Sequence, residues 1–104
     1  GEIIHQIRPD IFSVDSFHHL SNRFLIKVFK TFRKVAENIE NISFKDNFLK
    51  YKNNKKIFIK RSDFSEESVQ ILYENFANGM IKKYLMNKQL RDSKVPLIEQ
   101  KFLN

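Results

Sequence analysis

Hydrophobic positions recur along this chain mostly at helical spacing, and the longest such pattern runs from Val14 to Ile42. Phe17, Leu20, Phe24, Val28, Val35, Ile39 and Ile42 follow one another at steps of three, four and seven, which draws one apolar stripe. Leu25, Phe29, Phe32 and Ala36 draw a second stripe beside it, and Lys27, Lys30, Lys34, Asn38 and Asn41 form the narrow polar face opposite. With no Pro or Gly inside, the stretch predicts one helix of about 43 Å. Ser13 is placed to cap it, and Asp15 to sit in its first turn. A helix apolar over most of its circumference needs neighbours on two sides. It is either the centre of a bundle or half of a dimer core.

The flanking patterns are shorter. Ile3, Ile4 and Ile7 read as the end of a helix that Arg8-Pro9-Asp10 stops, because Pro disfavours helical geometry in the residue before it. Residues 44–51 read either as a helical turn or as an ordered loop carrying aromatics, and Lys52 to Lys56 as a polar loop. Ile57-Phe58-Ile59 reads as a β-like run. Ser62 or Asp63 is expected to cap a second helix, Asp63 and Glu66 having capping-box spacing, with Phe64, Val69, Ile71 and Leu72 on its apolar side. The phase changes near Tyr73-Glu74-Asn75, and Phe76, Met80, Ile81, Tyr84, Leu85 and Leu90 mark a third amphipathic helix. Gly79 inside it would cost about 1 kcal/mol relative to Ala. Residues 91–104, with Pro96, read as an extended tail carrying apolar anchors.

Composition narrows the class. The 104 residues suggest one small domain, and a core of that size gains from a partner chain. Two Gly, two Pro and eleven Phe suit an all-α chain, and the lack of Cys removes disulfides and thiolate metal sites. No apolar run is long enough to span a membrane. The chain opens at Gly1 directly into Glu2-Ile3-Ile4, as a fragment that begins inside an element would.

Charge changes the picture more. From Lys27 to Arg61 there are eleven Lys or Arg against Glu37, Glu40 and Asp46, a local +8 in a chain whose net charge is +7. A concentrated basic block is the footprint of a polyanion partner, although a solvated Lys-rich face would look the same. Catalytic chemistry has little to build on. His18 and His19 are adjacent and so do not share a helix face as metal ligands four apart would, and His5 lies on another element. There is no Gly-rich phosphate loop and no nucleophile elbow; Glu66-Glu67 at a helix start complements the helix dipole. No enzyme activity, cofactor or metal site is expected.

The order of elements resembles a histone fold, and in detail core histone 2B. Ile4-His5-Gln6-Ile7-Arg8-Pro9-Asp10 resembles that family's Leu-Lys-Gln-Val-His-Pro-Asp. Residues Phe24 to Phe32 resemble its Phe-Val-Asn-Asp-Ile-Phe-Glu-Arg-Ile in the central helix. Lys55 to Leu72 resembles its Lys-Arg-Ser-Thr-Ile-Thr loop and the helix that follows, and Glu74 to Leu85 has the apolar spacing of its extra C-terminal helix. The similarity covers most of residues 3–86 with few identities.

The resemblance implies an all-α histone fold (short helix, long central helix, short helix) with an extra C-terminal helix, built as an obligate heterodimer. The fold would occupy residues 1–90, with an insertion at 44–54, and residues 91–104 would be a C-terminal tail. The partner would be a histone 2A-like chain, gripped in a handshake through Phe24, Leu25, Val28, Phe29, Phe32, Val35 and Ile39. With other core histones the pair would package double-stranded DNA in the nucleus, or in a virion or viral factory if the source is viral. Contact would be to phosphates, without base readout. Its residues would be Ser13 at the start of the long helix, Lys55, Lys56, Lys60 and Arg61 in the second loop, and Lys45, Lys50 and Lys52 in the insertion.

Departures qualify this. The family's Arg-Ser-Thr is here Lys56-Ile57-Phe58, which removes the minor-groove Arg and its Thr partner. The family's Asn-Asp in the central helix is here Ile26-Lys27, and of its two C-terminal-helix acids the first is matched by Glu74 while Lys83 stands where the second would be, which puts its acidic docking patch in doubt. Two rival readings are a histone-fold subunit of a transcription or centromere complex, and a monomeric helical adaptor that binds proteins.

Overall fold

The central helix is shorter than its apolar pattern. In the computed structural model, which describes residues 2–44 and 57–103, α1 spans Phe17–Glu37, 21 residues or about 31 Å. Both ends are decided by polar side chains. Ser16, not Ser13, is the N-cap, and its hydroxyl accepts from the His19 N–H at 3.2 Å. Asp15 lies before the cap. Its carboxylate accepts the Phe12 N–H at 2.8 Å and pairs with Arg23, whose guanidinium also donates to the Asp10 carbonyl and stacks over the Phe12 ring. These contacts hold residues 10–15 in a turn, so Val14 and Asp15 do not enter the helix. At the other end the Asn38 side chain donates to the Lys34 carbonyl at 2.8 Å and its backbone N–H to the Val35 carbonyl at 3.1 Å. The chain then tightens into a 3-10 turn at Ile39–Asn41. Ile39 and Ile42 keep the apolar phase but lie beyond the helix.

Three further helices follow: α2 (Glu66–Ala77), α3 (Met80–Met86) and α4 (Lys88–Lys94). Two more 3-10 turns lie at Arg61–Asp63 and Lys101–Leu103. Among the described residues there is no strand, and the protein is all-α. α2 is capped by Ser65 rather than by Ser62 or Asp63: Ser65 and Ser68 exchange reciprocal side-chain-to-backbone bonds. The Asp63 carboxylate instead accepts the Lys60 N–H at 2.7 Å and closes the turn before the helix. The break expected near Tyr73 comes later, at Asn78-Gly79. Gly79 has φ +83°, a conformation that L side chains adopt at a cost, so it is the joint between α2 and α3 and not a weak point inside a helix. Asn87 divides the expected third helix again, into α3 and α4.

Both ends of the chain depart from the expected pattern. Residues 2–10 form no regular element and are not helical. The supposed tail is helical through Lys94, and the run after Pro96 holds the two most buried residues of the described structure, Ile98 at 2% exposure and Gln100 at 3%. The two runs face each other: the Gln6 N–H donates to the Ile98 carbonyl at 2.7 Å, and the Ile98 N–H to Gln6 Oε1 at 2.9 Å. Pairing across the termini satisfies backbone groups that a helix would otherwise satisfy internally. Of the large apolar side chains described, Ile81 and Ile98 are the buried ones. Around them Phe17, Leu20, Phe24, Val69, Leu72, Phe76, Tyr84 and Leu97 are half-buried. α2 meets the start of α1 through edge-on contacts of Phe17 with Tyr73 and Phe76, and α1 packs on the Lys101–Leu103 turn.

Candidate partner and nucleic-acid interfaces

The two apolar stripes of α1 have different fates. Phe17, Leu20, Phe24 and Val35 of the first stripe, with Ile42 beyond the helix, are half-buried against the chain's own elements. Leu25, Phe29, Phe32 and Ala36, spaced i, i+4, i+7 and i+11, all face outward. Phe29 and Phe32 are 65% and 68% exposed. The expected partner set therefore splits. Leu25, Val28, Phe29, Phe32 and Ile39 are exposed, whereas Phe24 and Val35 are engaged within the chain. Ile26 and the irregular run Ile57-Phe58-Ile59 add to the exposed apolar surface. An outward row of large side chains along three helical turns is unusual for a surface left in water.

The expected DNA-binding set is dispersed. Ser13 is exposed in the turn before α1 and caps nothing. Lys60 and Arg61 are exposed side by side at the turn leading into α2. The backbone donor at Lys60 is taken by Asp63, so this turn offers an ammonium and a guanidinium to a phosphate. Glu66 and Glu67 occupy the first turn of α2 and would repel an anion there. Lys45, Lys50, Lys52, Lys55 and Lys56 lie outside the described residues.

Sequence reasoning missed the polar seam that joins the termini. The Gln100 side-chain amide uses both donors and its acceptor. Nε2 donates to the carbonyls of Ile4 and Ser43, each at 2.8 Å, and Oε1 accepts the Ser43 N–H at 2.9 Å. The Gln100 N–H donates to His5 Nδ1 at 3.0 Å, which requires that nitrogen to be unprotonated. Burial pushes the His5 imidazole below its ordinary pKa, opposed by the nearby Glu99 carboxylate. A lone Gln among polar tail residues carries no periodic signal, and its partners lie 57 and 96 positions away.

A second missed cluster ties Arg8 to α4. Its guanidinium donates to the Asp92 and Val95 carbonyls, capping the helix C-terminus, and pairs with the Asp92 carboxylate at 3.5 Å. Asp92 also accepts from Tyr84 and Lys88, each at 2.9 Å. The Lys88 hydrogen bond leads the causes that hold the Asp92 carboxyl below its usual range. Burial, then the bond to Asp92, raises the Tyr84 phenol. Here the Lys88–Asp92 spacing of four is a readable signal.

A cleft of about 910 Å³ opens between α1, residues 5–12, α4 and the C-terminal run. Among the described residues no three His, Asp or Glu side chains come close enough to hold a metal ion, and no helix is long and apolar enough to cross a membrane. His18 instead lies with its Nε2 3.2 Å from the Tyr73 hydroxyl. In comparisons with known proteins, no family model, no curated protein and no solved structure matches this chain.

Proposed function

We propose that this chain is a divergent core histone resembling histone 2B. It pairs with a histone 2A-like chain in a handshake and packages DNA through sequence-independent phosphate contacts. The observation that carries the reading is the outward stripe Leu25, Phe29, Phe32 and Ala36. One side of the long helix is satisfied by its own chain, and the other is large, apolar and uncovered. Burying apolar surface yields about 25 cal/mol per Å², so a row of Phe and Leu side chains is a strong drive to association. The exposed Lys60-Arg61 pair, set at a turn before a helix, suits backbone contact with a polyanion. A self-contained helical adaptor is favoured by a different observation, the Gln100 seam, which closes the chain on itself without help.

Light scattering on a sizing column, of the chain alone and mixed with a histone 2A-type chain, separates the two. The histone reading expects self-association or aggregation alone and a one-to-one complex when mixed. A compact monomer that ignores the partner overturns it. If the complex forms, replacing Lys60 and Arg61 with Ala should weaken binding to unrelated duplexes equally. It should also reduce the salt slope by about 0.9 for each phosphate no longer neutralised.

A further inference from the structure

The polar face of α1 forms one wall of the cleft, where Lys30 and Lys34 are exposed. Lys27, Lys30 and Lys34 line that wall with Arg23 of the same helix, and Arg8 and Lys88 approach from the other elements. Against these six cations stand three carboxylates, Asp10, Asp92 and Glu99. Most of the charges are already engaged. Lys27 binds the Arg8 carbonyl and Asp10, Arg23 is held by Asp15, and Arg8 and Lys88 share Asp92. Lys30 and Lys34 have no hydrogen-bond or ion-pair partner among the described residues. They stand one helical turn apart, about 6 Å along the axis, and Thr31 lines the same wall.

We infer that this cleft binds a small oligophosphate, two or three linked phosphates, gripped by Lys30 and Lys34. Two free ammonium groups in a concave, net-positive space attract a multivalent anion more strongly than the same groups on a flat surface, because the walls focus the field. Their separation suits a short phosphate chain rather than one oxygen. The volume is that of a small-molecule site. At about 910 Å³ it lies within the range of such sites. The second stripe of α1 faces away from the cleft, so a partner chain seated there leaves the site open. The site stands whether or not the chain is a histone. Glu99 is its antagonist: it lines the cleft, engages no cation in an ion pair and repels an incoming anion.

The test is isothermal titration of the full chain with sodium tripolyphosphate at about 150 mM salt. The unmodified chain should bind one equivalent. The double change Lys30→Gln and Lys34→Gln should weaken binding about tenfold or more, and Glu99→Gln should tighten it about threefold, since each alters the local field in a known direction. A gain of affinity is not an effect of misfolding. The control pair Lys60→Gln and Arg61→Gln should change it less than about twofold. Equal losses from both doubles, an unchanged Lys30/Lys34 variant, or no saturable binding would each overturn the site. So would a Lys30/Lys34 variant that loses duplex DNA affinity in step with tripolyphosphate affinity, which would assign these lysines to a DNA path. Failure of Lys60 and Arg61 to contribute to DNA binding would bear on the histone reading alone.

Discussion

The seam around Gln100 and the outward stripe of α1 are opposites. At the seam, three stretches of chain remote in sequence meet around one glutamine, and every polar atom of its amide is matched. Along the stripe, Leu25, Phe29 and Phe32 remain largely uncovered by the chain. Hydrogen bonds are directional, so a satisfied polar cluster is closed to further partners. Apolar burial is proportional to area, so an uncovered stripe remains open to whatever fits it. The seam therefore belongs to the fold of the single chain, whereas the stripe is left uncovered by it.

Four variants would sharpen or break that contrast. The largest effect is expected from Phe29→Glu with Phe32→Glu. Placing two charges in the stripe should weaken association with a partner chain by about 100-fold or more, the loss typical of central aromatic anchors. The helical circular dichroism of the chain alone should stay unchanged. A loss of helix would show that these side chains serve the chain's own fold. Next comes Gln100→Ala, which strands the Ile4 and Ser43 carbonyls. It should cost about 2–3 kcal/mol in denaturant unfolding, as expected for unsatisfied buried groups, while leaving the affinity of the association intact.

Gly79→Ala tests the joint between α2 and α3. A Cβ there meets nothing within 4 Å, so the cost is that of the left-handed backbone alone, about 1 kcal/mol. The smallest effect is in pH. The folded-state pKa of His5 is lowered, so its neutral form contributes stability that is present above the unfolded value near 6.5 and is lost as pH falls below it. Hydrogen-exchange protection of the Gln100 amide should fall over that window by an amount worth about 1 kcal/mol or less. His5→Asn, which can accept the same bond without titrating, should flatten the profile. A flat profile in the unmodified chain would remove His5 from the seam.

The two regions also differ in how far the sequence reveals them. The stripes of α1 are legible because helical periodicity converts spacing directly into faces, whatever the rest of the chain does. Their assignment to inside and outside is not, since Phe24 and Phe29 look alike until neighbours are known. Periodicity overstates the length of the helix for a related reason. Ile39 and Ile42 continue the apolar phase, and the Asn38 side chain that ends the helix acts through a local hydrogen bond that periodicity does not register. Ser13 suits a cap by residue type alone, yet Ser16 caps the helix, because the Asp15–Arg23 pair, eight residues apart, helps hold residues 10–15 in a turn. Of the proposed DNA contacts, Lys60 and Arg61 are exposed as a loop position implies, and the insertion lysines lie outside the described residues.

What the sequence determined by itself is local and periodic: an all-α chain, a long two-striped central helix, a Lys-rich polar face, and a basic block from Lys27 to Arg61. The tertiary structure alone decided how the ends behave. An irregular N-terminal run and an irregular C-terminal run leave backbone groups unpaired until they meet, and neither carries a pattern that names the other. Their pairing through Gln6, Ile98 and Gln100 leaves Ile98 and Gln100, expected in a tail, the two most buried of the described residues. The same closure brought Arg8, α4 and the lysines of α1 around one cleft. Bonds between residues as far apart as Arg8 and Asp92, or Ile4 and Gln100, depend on the whole path of the chain, and no window of sequence holds that path.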